Sequence, residues 1–458
     1  MAISDTVLQK DIQWVARSTP LNNFSYVMEI HCGTTRNVRP LKLISIDTLA
    51  DFEKGFADEI VVEAMFIRSD YDQYLFPNRD ALQITVVRTP IGTVTDRIDN
   101  SRAPQARLFK ATLVNPVNQT LDQGQGGYSG SEQYTNMTMM PLQFQLVELP
   151  VEQLMMMTVG GIYRKTTAAA VLKSALTQFS QSLQGLDKSS EVSGVDMYPV
   201  PVPQGQKAPK VREHIIIPHG TRLVCLADHI QEKEGGIYDT GIGAYYRQPN
   251  WYVYPPYDVT RFQKSMRTLT VLIVKSAEMP GMDCTYRVDG QAVTIVANGN
   301  IKHVDPVDHD AVNRGNGVRF AKAQSLLDGF TDGTSAGVAK AQEVMTGFIT
   351  SARDALKNYV PFSGNRITDN AAHELSKLAA RQGQRVQLNW QRSDASLIVP
   401  YMPVRLLYES GGLLYEFSGT VLNCQSQVHP DQPGMTNARY YQDTGLTLFV
   451  AVTKTMKA

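Results

Sequence analysis

From residue 27 to residue 149, apolar and polar positions alternate with a period of two. In EIVVEAMFI, Ile60, Val62, Ala64 and Phe66 share a face; in ALQITVVRT, Leu82, Ile84 and Val86 oppose Gln83, Thr85 and Val87; PLQFQLVEL repeats the alternation through Leu142, Phe144 and Leu146. This region is expected to be predominantly antiparallel sheet. Between its strands, RSDYDQYLFPNRD carries Pro77 and Asn78, which interrupt pairing and predict a structured excursion. LDQGQGGYSGSEQ has too little apolar area to bury and predicts a mobile loop, cut first by proteases between Gly124 and Gly130.

The period then lengthens. In TTAAAVLKSALTQFSQSL, Leu172, Leu176, Phe179 and Leu183 recur at spacings of four, three and four behind a threonine cap, the stripe of an amphipathic helix. MYPVPVPQGQKAPK, with prolines at 199, 201, 203 and 209, predicts an extended connector. EHIIIPHGTRLVCLAD, NWYVYPP, RTLTVLIVK and TYRVDGQAVTIVA supply four further strand candidates, the last folded at an Asp289-Gly290 hairpin turn. From about Val318 the spacing is helical again. SAGVAKAQEVMTGFITSARDALKNYV places Val338, Met345, Phe348, Ala352 and Leu356 on one side and stops before Pro361; TDNAAHELSKLAARQG follows with a threonine cap and Gly383 as its stop. RVQLNWQ, YMPVRLLYESGGLLYEFSGTVLNCQSQ and TGLTLFVAVTK return to strands, with a hairpin turn at Gly411-Gly412. The pattern predicts an α+β chain, mainly β.

A chain of 458 residues is long enough for several cores. Lys+Arg and Asp+Glu both number 44, so no field of one sign draws it to nucleic acid or an anionic membrane. The cysteines at 32, 225, 284 and 424 show no CxxC spacing and read as reduced apolar residues, which suits folding in a reducing cytoplasm. MAISDTVLQKDIQW has no apolar stretch of signal-peptide length, and LPVEQLMMMTVGGI is interrupted by Glu152 and Gln153, so neither an export signal nor a membrane span is expected.

Candidate chemistry is sparse. IKHVDPVDHD crowds His303, Asp305, Asp308, His309 and Asp310 together, and imidazole with carboxylate can hold a divalent ion. Pro306 breaks the strand through it, and a solvated exit loop pairing with Arg314 or Arg319 is the stronger reading. GYSGS at 127–131 misses the GxSxG spacing, and GIGAYY at 241–246 lacks the third glycine of a dinucleotide turn. His214 and His219 bracket an apolar run and read as strand-end donors. Arg381, Arg385 and Arg392 near Trp390 can stack single-stranded nucleic acid, but more often make a solvated face with one buried indole. Met155, Met156 and Met157 favour core filling over a groove.

GAYYRQPNWYVYPPYD is the densest aromatic run, holding Tyr245, Tyr246, Trp251, Tyr252, Tyr254 and Tyr257. Strand geometry puts Trp251 and Val253 on one face and Tyr252 and Tyr254 on the other, and neither face is polar. A strand covered on both sides is expected, either wholly inside its own core or with these six residues partly in a subunit interface.

The order VVEAMFIRSDYDQYLFPNRDALQITVVRTP, RLFKATLVNP, PLQFQLVEL with GGIYRKTTAAAVLKSAL, IIIPHGTRL, GGIYDTGIGAYY, NWYVYPPYD and RTLTVLIV resembles the central hub proteins of bacteriophage tail baseplates. The likeness covers residues 60–300 and the segment from YMPVRLLYES to LTLFVA; residues 1–25 and 308–384 match nothing in it. It implies two tail-tube-like antiparallel β-barrels joined by mixed α/β and helical parts. The expected domains are 1–150 for the first with a leading arm, 151–305 mixed, 306–384 helical and 385–458 the second. It further implies a homotrimeric ring that adapts a six-fold tail tube to a three-fold spike in the virion's tail baseplate, assembled in the host cytoplasm. Tail tube, central spike, baseplate wedge and tape measure proteins are the implied partners. Genomic DNA passes through without sequence-specific binding, and no catalytic residue, cofactor or metal is implied. Neutral charge suits a conduit that must not hold phosphates. The competing readings are a metal-dependent hydrolase centred on residues 303–310 and another ring-forming tail protein, a tube or adaptor.

Overall fold

The structure is a computed structural model. It describes every residue except 1–6, 18–22, 34–35, 92–103, 115–138, 185–190, 203–208, 264–266, 275–283, 305–318, 323–342, 347–358, 363–370, 411–412, 432–438 and 458.

A leading helix α1 (Val7–Ala16) precedes β1 (Asn23–Cys32), β2 (Arg36–Val38), β3 (Lys42–Asp51), β4 (Glu59–Ile67), β5 (Leu82–Ile91), β6 (Gln105–Val114) and β7 (Met139–Glu148). The period-two positions do what they predict: Ile60, Val62, Ala64, Phe66, Leu82, Ile84, Leu142, Phe144 and Leu146 are all buried in one core. The Pro77 excursion is helical, Arg68–Asp70 running into a wide turn at Tyr71–Leu75.

Next come α2 (Leu149–Met156), β8 (Thr158–Thr166), α3 (Ala168–Gln181), β9 (Gly194–Met197), β10 (Arg212–Arg222), α4 (Leu226–Lys233), β11 (Gly243–Arg247) and β12 (Asn250–Tyr254). Thr167 caps α3 as expected, its hydroxyl oxygen accepting from the Ala170 amide at 3.2 Å. The strand expected through LVCLAD instead ends at Arg222. Leu223, Leu226, Ala227 and Ile230 take a helical spacing and bury one face against α3 and β10, so packing overrides the apolar run.

The remaining elements are β13 (Thr268–Ile273), β14 (Tyr286–Asp289), β15 (Ala292–Val304), β16 (Arg319–Lys322), β17 (Glu343–Thr346), β18 (Tyr359–Phe362), α5 (Ala371–Gln382), β19 (Gln384–Trp390), β20 (Pro403–Ser410), β21 (Leu413–Pro430) and β22 (Tyr440–Lys457). Gly290 takes a positive φ of 60°, which seats the predicted Asp289-Gly290 turn with Asp289 opposite Ala292. The helix read across 335–360 is corrected at Glu343–Thr346, which pairs with β16 as a strand; local propensity yields there to cross-strand pairing. Most of the rest of that stretch, and the Gly124–Gly130 loop, lie outside the described residues.

The chain is mainly β, with most strands in one large mixed sheet. Among the described residues its pairings close two circuits. The first runs β3, β4, β7, β6, β5, β1, β22, β21 and back to β3, antiparallel throughout; its β1–β22 join rests on Phe24 opposite Tyr440. The second runs β13, β20, β21, β22, β19, β15 and back to β13, with parallel pairing on both sides of β13. The long hairpin β21–β22 belongs to both: Asn423–Val428 pairs with β3, while Leu413–Thr420 pairs with β20. Residues 384–457 therefore build part of each circuit.

Each circuit encloses its own core, with Trp390, Leu406 and Leu448 among the buried residues of the second. A third core lies among α2, α3, α4, β10 and β12. Leu8 and Val15 of α1 cover the other face of the second circuit at Leu272, Val296 and Leu407. No helix among the described residues is long and apolar enough to cross a membrane.

Candidate functional site

The aromatic run sits where the cores meet. β12 pairs antiparallel with β11 and parallel with β9, and its side chains alternate as the sequence predicts. Trp251 and Val253 enter the third core, whereas Tyr252 and Tyr254 pack on the core of the second circuit. The strand is covered on both sides, and this chain supplies both covers. The Trp251 indole donates to Ser180 Oγ at 3.0 Å, and Tyr246 packs edge-on against it at 5.4 Å. Tyr245, Tyr246 and Trp251 are at most 1% exposed. These three side chains are covered within the chain itself. Tyr252, Tyr254 and Tyr257 are half-buried.

The turn between β3 and β4, residues 51–58, is the peg on which this junction hangs. Phe52 is fully buried between Tyr245 and Tyr401, with ring centres at 4.9 and 5.9 Å, and the Tyr401 hydroxyl donates to its carbonyl. Asp58 takes three bonds from Arg247, at 2.9 to 3.2 Å, and a fourth from the Tyr245 hydroxyl at 2.8 Å. Arg247 also donates to the Ile398 carbonyl at 2.7 Å. Glu53 accepts from the Tyr257 hydroxyl at 2.6 Å and from Arg385. Burial pushes the Tyr245 phenol far above its usual range, and the neighbouring Asp58 carboxylate pushes it further. Desolvation alone would lower the Arg247 pKa, but Asp58 outweighs it and holds the guanidinium charged. A parallel clamp ties the two circuits: Arg88 donates to Asp394 at 2.7 Å and lies over the Phe24 ring.

Sequence reasoning missed this network. The partners lie 189, 332 and 306 positions apart, so no spacing announces them.

Beside the junction lies a cavity of about 850 Å³, lined by Tyr198, Tyr238, Tyr252, Tyr254 and Tyr401, by prolines at 199, 201, 255, 400 and 403, and by Arg261. Arg261 is 1% exposed, and its guanidinium carbon lies 5.6 and 5.2 Å from the Tyr198 and Tyr254 ring centres.

The other candidates fare differently. Trp390 is fully buried, donating to Thr285 Oγ1, and Arg385 is engaged by Glu53, so these two do not form an open stacking face. Met155 and Met156 are 47% and 83% exposed, which corrects their assignment to a core; they fall at the end of α2, where its buried face, Val151 and Leu154, has run out. His214 and His219 are exposed on β10. Gly241 and Gly243 lead into a strand, as expected of a chance GIGAYY match. Cys32, Cys284 and Cys424 are buried free thiols and Cys225 is exposed. Asp305, Asp308, His309 and Asp310, with GYSGS, lie outside the described residues; His303 belongs to β15, opposite Val386 of β19.

No family model matches the chain, and neither does any curated protein. Solved structures do. A tail protein from Neisseria meningitidis MC58 aligns over 93% of this chain and 96% of its own, at 13% identity and a TM-score of 0.43. The 43 kDa tail protein of prophage MuSo2 from Shewanella oneidensis aligns over 93% and 96%, at 8% identity and a TM-score of 0.45. A component of the E. coli type VI secretion system, described as structurally similar to the T4 bacteriophage tail proteins gp27 and gp5, aligns over 92% and 76%, at 8% identity and a TM-score of 0.40. The chain is similar to these tail and secretion-system proteins. Scores this low carry no argument, and what the chain does has to be argued from its own residues.

Proposed function

We propose that this chain is a structural component of a phage tail, a hub subunit that assembles as a homotrimeric ring. The observation that carries the reading is the shared hairpin: β21 and β22 enter both strand circuits, which locks two ring-building units into one rigid subunit. Three such subunits present six units, the number needed to seat a six-fold tube above a three-fold spike. In this reading the two circuits are the tube-like parts, the first drawing on residues 1–150 and the second on β13 and β15 of the 151–305 part, with residues 385–458 entering both and 306–384 standing between. The partners are tube, spike, wedge and tape measure proteins, and DNA passes without base contacts. The role is mechanical rather than catalytic, in a virion tail put together in the host cytoplasm.

Two features support it. Largely buried clamps such as Asp58–Arg247 and Glu53–Arg385 tie the cores together at their junction, as a ring subunit under mechanical stress requires. Ile162 and Ile216 face one another across the β8–β10 ribbon and stay 62% and 50% exposed, with Met156 nearby in sequence; a second copy is the cover such residues need.

Native mass spectrometry with light scattering tests the proposal. A trimer at micromolar concentration is expected, and Ile162→Asp with Ile216→Asp should yield folded monomers. A wild-type chain that stays monomeric, or forms six-fold or twelve-fold rings, overturns it.

A further inference from the structure

The outer face of the β8–β10 ribbon carries one sign of charge. Register puts Ile162 opposite Ile216, Arg164 opposite His214, Thr166 opposite Arg212 and Thr158 opposite Arg222, while the alternate residues Tyr163, Ile215 and Ile217 pack on the third core. Ile162 and Ile216, 62% and 50% exposed, therefore lie between Arg164, Arg212 and His214 toward one end and Arg222 toward the other. Arg164 and Arg222 are exposed, and neither makes an ion pair with another described residue. The ribbon's one carboxylate, Glu213, alternates to the opposite side with Ile215. Asp228 and Glu232 belong to α4, which packs through Leu226 and Ile230 on that same opposite side.

The chain as a whole is neutral, so this excess is balanced elsewhere. One balancing surface is the outward side of β3 and β4. There Ser45 pairs with Glu63, Asp47 with Val61 and Leu49 with Glu59, alternating with Ile46, Ile60, Val62 and Ala64, which fill the core of the first circuit. Three carboxylates thus border the half-buried Val61 and Leu49. The flanking strands add only neutral side chains there, Gln143 and Gln145 on β7 and Gln425 and Gln427 on β21. Lys42, the one base of the two strands, is at the far end opposite Met65, and Lys110, two strands from β4, is held by Glu152. Glu59 and Glu63 make no ion pair with another described residue.

An apolar centre bordered by cations on one surface and an apolar centre bordered by anions on another suit head-to-tail contact between identical chains, the kind that closes into a ring. Ribbon against ribbon would set arginines of like charge together. We propose that the β8–β10 ribbon of one copy docks on the outward side of β3 and β4 of the next. Ile162 and Ile216 meet Val61 and Leu49, and Arg164 and Arg222 fall among Asp47, Glu59 and Glu63. The inference rests on the trimeric ring proposed above and adds which two surfaces form it.

The test is sedimentation velocity of the full chain over a concentration series, with thermal melts to confirm that each variant is folded. Arg164→Glu with Arg222→Glu, and separately Glu59→Lys with Glu63→Lys, should each raise the concentration at which the trimer dissociates at least about tenfold. All four changes in one chain should bring it back to within about threefold of wild type, because the charges are then exchanged across the same contact. The wild-type value should also rise at least about tenfold between about 0.05 and 0.5 M sodium chloride. A trimer indifferent to either pair of reversals, or a chain with all four changes that associates no better than the pairs, overturns this contact and leaves the ring standing. A wild-type chain that does not self-associate overturns the ring and the contact together. If the variants fail to fold, the salt series decides, and a value that does not move with salt overturns the contact.

Discussion

Asp58→Ala is the sharpest test of how the cores are joined. The carboxylate accepts four hydrogen bonds, three from Arg247, and the two side chains are only 6% and 19% exposed. Deleting it leaves a guanidinium buried beside the Phe52 ring with its charge uncompensated, and breaking such a pair costs about 3–5 kcal/mol. Unfolding entropy of about 2.1 cal/mol/K per residue gives roughly 1 kcal/mol/K for the whole chain, so the melting point should fall by about 3–5 °C if everything unfolds together, and by about twice that if half the chain does. Arg247→Met in the same background should recover part of the loss, because the stranded charge is gone. Circular dichroism melts of the wild type, both single variants and the double variant form a complete cycle. A midpoint shift below about 1 °C for Asp58→Ala, or a double variant no better than the single, refutes the claim that this pair is what secures the turn.

Trp251→Ala should cost about 3–5 kcal/mol of stability, the scale for emptying a buried aromatic site; denaturant melts read it, and normal stability with weakened subunit association would return Trp251 to an interface. Alkaline pH should unfold the protein early. Burial raises the Cys424 thiol and the Tyr26 phenol each to about 12, above their unfolded values near 9 and 10, so the stability they lend is complete below those values and is lost as pH climbs toward 12. Cys424→Ala should flatten that decline in pH-dependent urea melts, and an unchanged slope would contradict it.

The strand faces of the first circuit were legible because a period of two needs only one buried side, and Ile60, Phe66, Leu82 and Phe144 satisfy it in any arrangement that covers them. The Thr167 cap and the Asp289-Gly290 turn were legible for the same reason, being settled within four residues. The alternation of Trp251 with Tyr252 was readable too, but what would cover each face was not: an apolar surface asks for burial without naming its partner. Met156 shows the converse, a residue whose chemistry suits a core and whose place at the end of a helix leaves it 83% exposed.

The sequence by itself determined the periods, caps and turns, and hence a mainly β chain with helices set between its strands, because those depend on neighbours a few positions away. Only the tertiary structure decided that β21 and β22 serve two circuits, that Asp58 meets Arg247 and Glu53 meets Arg385, and that Arg261 lies buried in a cavity wall. Those facts rest on groups up to 416 positions apart, Phe24 and Tyr440, brought together by chain closure, and no local free energy encodes such a meeting.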